Sequence, residues 1–294
     1  TRLCAYAELF LHHLHLFLFV CSLMRGDYSL RRSVALWRGL RFALHLLYGL
    51  ALAVSYPYLR LSFRQRILRV WSAQLLDILA VRIHCDTPLS GATQGLIVSN
   101  HISWLDVFVL NALVPMRFVA KSEVRGWPVF GWLCARAQTL FIERGNARAA
   151  ARMNVQMAAL LKCGECLAVF PEGTTTDGAQ LAHFHASLLQ PAIDADVPLY
   201  PFALRYETAQ GQRSMVAAYI DELSFGASLW QILSSRELSV RVHATPVIAE
   251  HGSDRRALAQ TAQRNIAQAL QQMEAAAPVT KLSYPCHGDA ISLA

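Results

Sequence analysis

An α/β fold, a mostly β-sheet core flanked by helices behind an N-terminal apolar helical arm, is what the sequence predicts. Three observations carry this reading. Short β-branched apolar runs alternate with helical stretches from residue 81 onward, the pattern of a sheet covered by helices. Two longer helical stretches precede that body. The hydrophobic share of 54% and mean hydropathy of +0.30 exceed what one soluble core needs.

Taken in order, the chain opens with LFLHHLHLFLFVCSLM at residues 9–24, an apolar run below the roughly 20 residues of a spanning helix and holding three histidines. Residues 1–33 are therefore assigned to an N-terminal extension, with Met24 as a candidate start. Phe42 to Leu59 is a second apolar run, at the lower limit for spanning, with Arg31, Arg32, Arg38 and Arg41 before it and Arg60, Arg64, Arg66 and Arg69 after it. Residues 61–81 then place Phe63, Ile67, Val70, Trp71, Leu75, Ile78 and Leu79 at helical spacing, with arginines between them. The region 34–81 thus reads as a membrane-associating pair, an apolar helix and an amphipathic one.

Strands are expected at VRIHC (81–85), GLIVSN (95–100), RFVAK (117–121), TLFIE (139–143), LAVFPE (167–172), PLYPFAL (198–204), VAAYI (216–220) and LSVRVHA (238–244). Helices are expected over 102–113, 127–136, 146–162, 185–194 and 253–275. Pro198 and Pro201 imply that their strand lies at an edge or carries an irregularity. Residues 82–275 form one catalytic domain in this reading, followed by a tail at 276–294.

Charge narrows the partners. Residues 1–82 hold 11 Arg, no Lys and three acids, which leaves 16 bases against 17 acids in the rest of the chain. The whole excess behind the net charge of +7 therefore sits in the arm, interleaved with apolar runs. That arrangement suits anionic lipid headgroups and argues against nucleic acid. Seven scattered cysteines fit a reducing compartment, and the Cys163/Cys166 pair in KCGEC lies in a tight turn before a strand, with no second pair to complete a zinc site.

The chemistry concentrates where strands end. GLIVSNHISWLD carries His101 and Asp106 at a strand-to-helix junction, the place open α/β sheets use for sites. Five residues apart, they would stand about 140° apart around a regular helix. Pairing therefore requires His101 in the turn before the helix, its ring folded back so that the carboxylate accepts one imidazole N–H and the other nitrogen faces a substrate hydroxyl. LAVFPEGTTTDG runs from another strand into Glu172, Gly173 and Thr174, a turn whose amides can cradle an anion. Lys121 and Arg144 end two further strands, where cations can meet a phosphate at the same sheet edge.

In this order the blocks resemble the PlsC-type glycerolipid acyltransferases, the 1-acylglycerol-3-phosphate acyltransferase family, over residues 34 to 250. NHISWLD matches the family's first block, which implies His101 as general base and Asp106 as its orienting partner. FIERGN implies that Arg144, with Lys121, binds acceptor phosphate. FPEGT implies that Glu172, Gly173 and Thr174 shape the acceptor site, and VPLYPFAL resembles the fourth block. The resemblance implies the glycerolipid acyltransferase fold, acyl-CoA or acyl carrier protein as donor, a lysophospholipid acceptor and attachment to the cytoplasmic face of the inner membrane. An activated thioester asks for no cofactor or metal. Two departures bear on the acceptor: EGTTTDG lacks the usual Arg after EGT, and His185 in FHAS stands for a Lys. EGTTTDG also resembles the lyso-ornithine lipid acyltransferases, which gives the alternative acceptor.

A serine hydrolase using Ser99 or Ser103 would want a G-x-S-x-G elbow, absent here. A metallohydrolase recruiting His183 and His185 would want a denser ligand motif, and a lipid-binding relative without catalysis would lack the His/Asp pair.

Overall fold

The structure, a computed structural model, describes residues 31–85, 94–143, 145–220, 222–249, 252 and 254–275. The expected extension lies outside these residues up to position 30, as do Arg144 and the tail after 275.

Helix α1 occupies residues 31–55 and continues as one tight turn, Tyr56–Tyr58, where Pro57 stops it. Helix α2, Leu61–Ile78, follows. The two pack closely: Gly49 lies so near the Trp71 indole that a Cβ there would come within 2.7 Å of it, and His45 stacks on the same ring at 4.6 Å. Ala35 and Phe42 of α1 and Leu75, Leu76 and Leu79 at the end of α2 enter the main core. The opposite side of α1 leaves Leu36, Trp37, Leu40, Leu44, Leu47 and Tyr48 exposed. The helical stretch Arg31–Tyr58 is long and apolar enough to cross a membrane by length and composition.

Among the described residues the body is one sheet of seven strands: β1 (Val81–Cys85), β2 (Gly95–Ser99), β3 (Arg117–Lys121), β4 (Leu140–Ile142), β5 (Cys166–Val169), β6 (Leu199–Glu207) and β7 (Leu238–Ala244), in spatial order β1-β7-β6-β2-β5-β3-β4. Every pairing is parallel except β6 with β7. Alternation along each strand divides two cores. Ile97 of β2 and Phe202, Leu204 and Tyr206 of β6 face one layer, formed by α2, α3 (Asp106–Leu113) and α7 (Phe225–Ser234). Leu96, Val98 and Ala203 face the other, where α5 (Ala147–Lys162), α6 (Gln190–Ala195) and α8 (Arg255–Ala275) lie. The short α4 spans Phe130–Arg136.

Three expectations change. VAAYI is not a strand: Tyr219 donates its N–H to Ile102 O at 2.9 Å and Ala218 to Met215 O, so its amides close a loop over the turn after β2. Ala217 and Ala218 are buried there, which explains the apolar run. Helix α7 was not foreseen; Ser224 caps it by accepting from Ala227 N at 3.3 Å, and its Ile232 and Leu233 are buried. The proline-bearing strand β6 is internal rather than at an edge, which leaves the irregularity that its prolines also allowed. Pro201 lies just past the last β7 pair, Phe202↔Ala244, and its carbonyl accepts from Thr245 N at 3.0 Å, so the missing proline donor falls where the ladder has ended.

Candidate active site

β2 ends at Ser99, and the chain then crosses the sheet edge as Asn100, His101, Ile102 and Ser103 before α3 begins at Asp106. Asn100, fully buried, clamps this crossing to β6: its amide donates to Leu204 O at 2.9 Å and its oxygen accepts Leu204 N at 2.8 Å. The helix starts at Asp106 rather than at 102, because the amides of Ile102 and Ser103 bond to the Asp106 side chain, at 2.8 and 2.9 Å, instead of feeding a helical ladder.

That carboxylate also accepts from His101. Nδ1 of His101 lies 2.8 Å from Asp106 Oδ2, the same oxygen that takes the two amides. Oδ1 accepts the Tyr206 hydroxyl at 2.8 Å. Asp106 is fully buried with four donors around it, so its negative charge is held by hydrogen bonds rather than by a cation. Burial and the adjoining Asp106 carboxylate push the Tyr206 phenol well above its ordinary value, which keeps it a donor. The His101 ring stacks on Phe170 at 4.0 Å and 9°, and its side chain remains 21% exposed. Nε2 bonds to no described residue, so the nitrogen opposite Asp106 is the one presented outward.

Glu172 grips the crossing from the other side. Its Oε1 accepts the His101 backbone N–H at 2.8 Å and its Oε2 accepts Ala182 N at 2.7 Å, so one buried carboxyl ties the ends of the EGTTTDG loop to the His101 turn. Burial pushes its carboxyl above the ordinary range, against the pull of these two amides. The loop is fastened further by Thr176 N to His101 O at 2.8 Å and by the Thr175 hydroxyl to Tyr219 O. Gly173 sits at φ +70, where glycine is favoured, and Thr174 is exposed beyond it. His101, Asp106, Glu172 and Gly173 therefore meet at one sheet edge. Lys121 is exposed at the end of β3. Registers place it level with Pro171 and Asn100, two strands from β2, or about 10 Å across the sheet.

Two competing chemistries are disfavoured by contacts. Ser99 and Ser103 are fully buried, and their hydroxyls bond to Asn100 O and Leu105 N, so neither is presented to a substrate. Burial pushes the Cys166 thiol up to about 12, away from thiolate chemistry. The residue that sequence reasoning missed is Tyr206. Its signal was a tyrosine in an apolar strand, and only the β6–β2 pairing identifies its partner.

A histidine with one nitrogen held by a buried carboxylate at the parallel sheet's carboxyl edge has the geometry to accept a proton from a hydroxyl. Residues 80–205 match the family model described as Acyltransferase. The chain is 38% identical over 209 residues to a lyso-ornithine lipid O-acyltransferase of Pseudomonas aeruginosa, covering 70% of this chain and 79% of that protein. It is 37% identical over 186 residues to a 1-acyl-sn-glycerol-3-phosphate acyltransferase of Neisseria meningitidis, covering 63% and 72%. The fold matches the crystal structure of the 1-acyl-sn-glycerophosphate acyltransferase PlsC from Thermotoga maritima with a TM-score of 0.57 at 18% identity, over 81% of this chain and 98% of that one. The protein belongs to the acyltransferase family.

Proposed function

We propose that the protein transfers a fatty acyl chain from acyl-CoA or acyl carrier protein to the free hydroxyl of a lysophospholipid, with 1-acylglycerol-3-phosphate as acceptor and phosphatidic acid as product. The observation that carries this reading is the His101–Asp106 pair. His101 Nε2 removes the hydroxyl proton as the oxygen attacks the thioester carbonyl carbon, and Asp106, bonded to Nδ1, stabilises the imidazolium that forms. The tetrahedral oxyanion then collapses, the C–S bond breaks, and the proton passes from His101 to the departing thiolate. The thioester is already activated, so the protein needs only a positioned base.

Lys121 and Arg144 are the acceptor's phosphate ligands in this reading, while Glu172, Gly173 and Thr174 shape the acceptor site. Residues 34–81 seat the catalytic body, 82–275, on the cytoplasmic face of the inner membrane, with the exposed apolar side of α1 in lipid and its arginines at the headgroups. A second acceptor, lyso-ornithine lipid, is favoured by one observation. Thr175 of EGTTTDG stands where the family's usual Arg follows EGT, and Asp177, two residues on, puts a carboxylate on the same loop, joined to Arg213 at 3.2 Å.

The test is detergent-solubilised protein with labelled acyl-CoA or acyl carrier protein, offered lysophosphatidic acid, lyso-ornithine lipid or water alone. Labelled phosphatidic acid is the expected product, and transfer to neither lipid overturns the proposal. Lys121→Ala and Arg144→Ala should raise KM for lysophosphatidic acid with little change in kcat; an unchanged KM refutes their role.

A further inference from the structure

On the sheet face opposite Tyr206, a cavity of about 650 Å³ opens between α8 and the loop that follows EGTTTDG. Arg205, Arg213 and Arg264 line it, with Glu274 the one acid among the described residues of its wall, and Gln260 and Gln271 add amide donors. Arg205 alternates with Tyr206 along β6, so it turns toward α8 while Tyr206 turns toward Asp106. Its position is unusual for a cation. The residue is 8% exposed, its Nε lies 3.5 Å from Glu207 Oε1, one terminal nitrogen is 4.0 Å from the exposed Glu274, and the other has no hydrogen-bond partner. Glu207 is shared with Arg241, which bonds its other oxygen at 3.0 Å. Arg213 is paired with Asp177 at 3.2 Å, so the unmet donor of the buried Arg205, with the exposed Arg264 beside it, is what the cavity offers a ligand.

The cavity's rim also approaches the turn that carries His101. Gly178 is part of its rim and packs against Ile102, the residue after His101, closely enough that a Cβ would come within 2.8 Å of the Ile102 side chain.

We infer that this cavity is a phosphate-binding site, occupied by the phosphorylated end of the acyl donor or by free phosphate. The donor arm of this inference rests on the transferase reading above. Guanidinium forks suit phosphate oxygens, and side-chain amides complete such a shell without adding charge.

Binding is measured directly, on full-length His101→Ala protein in detergent, so that turnover plays no part. Coenzyme A and inorganic phosphate are titrated separately and in competition, into this protein and into forms that also carry Arg264→Gln or Arg264→Lys. Arg264 is exposed on α8, so neither change disturbs the core. Saturable binding that weakens on the order of five- to tenfold in Arg264→Gln, less in Arg264→Lys, and that falls with added salt supports the site. Coenzyme A binding at least tenfold tighter than phosphate and displaced by it identifies the donor, whereas equal affinities identify free phosphate. No saturable binding of either, or binding indifferent to Arg264→Gln, overturns the inference. Coenzyme A that binds regardless of Arg264 overturns it while leaving the transferase reading intact.

Discussion

Replacing Asp106 with Asn tests the His101 pairing most sharply, because the surroundings dictate how the amide must sit. The Oδ2 position is surrounded by three donors, His101 Nδ1 and the amides of Ile102 and Ser103, at 2.8 to 2.9 Å. An NH₂ group placed there would face all three, so the Asn oxygen takes that position and its nitrogen faces Tyr206, whose hydroxyl can turn to accept. The imidazole keeps its tautomer and its direction; only the charge is removed. With about 4 Å between the centres of charge and an effective dielectric near 20, the lost attraction to the imidazolium is about 4 kcal/mol. At about 1.4 kcal/mol per decade that corresponds to a fall in kcat on the order of 10³. Initial rates of acyl transfer, with folding checked by circular dichroism, measure it, and His101→Ala supplies the floor. Activity within tenfold of the parent would show that the carboxylate charge is not used. A loss as complete as that of His101→Ala would show that the ring had turned, and the hydrogen-bond argument would be refuted.

Tyr206→Phe should lower kcat on the order of tenfold at unchanged KM and destabilise the fold by about 1–3 kcal/mol, since Asp106 Oδ1 loses its donor in a fully buried place; a parental kcat would refute a positioning role. Because the Tyr206 phenol is held well above its ordinary value, the wild-type pH–rate profile should show no alkaline limb that Tyr206→Phe removes. Gly178→Ala, at φ +73 and against Ile102, should cost about 1–2 kcal/mol, read as a melting shift of about 2–4 °C per kcal/mol; an unchanged Tm would contradict the close approach. Glu172→Gln can accept on only one side of its amide, so the N–H of His101 or of Ala182 loses its partner, at about 1–3 kcal/mol. The Glu172 carboxyl is raised in the folded state, so between its ordinary value of 4.5 and the raised one the native protein holds a proton that the unfolded chain has released. Stability therefore falls as pH rises through that window, and Glu172→Gln should remove this slope; a slope identical in the variant would refute it.

The parts of the fold written in local pattern were legible in advance. VRIHC and RFVAK occupy Val81–Cys85 and Arg117–Lys121 as expected, because β-branched runs between helices leave few other places for them to go. VAAYI is also a short apolar run and is a loop, because Ala217 and Ala218 are buried by covering the His101 turn instead of by pairing in the sheet. The site divides in the same way. The fold-back of His101 toward Asp106 followed from a spacing incompatible with one regular helix, a local argument. Tyr206 lies 100 residues from Asp106, and the Glu172 bond to His101 spans 71 residues, so only the strand order reveals them.

That strand order explains why a five-residue spacing can serve a base at all. Four residues of non-helical chain between His101 and the start of α3 leave amides at Ile102 and Ser103 that the sheet no longer satisfies and the helix does not yet satisfy. Asp106 satisfies both and bonds His101 with the same oxygen, so the segment that needs a cap and the base that needs an orienter are met by one side chain. Loss of the Asp106 carboxyl altogether, as in Asp106→Ala, would therefore free the turn as well as the ring. Its effect should exceed that of Asp106→Asn in stability as well as in rate, whereas an Asp that only tuned the histidine would lower the rate in both and the stability in neither.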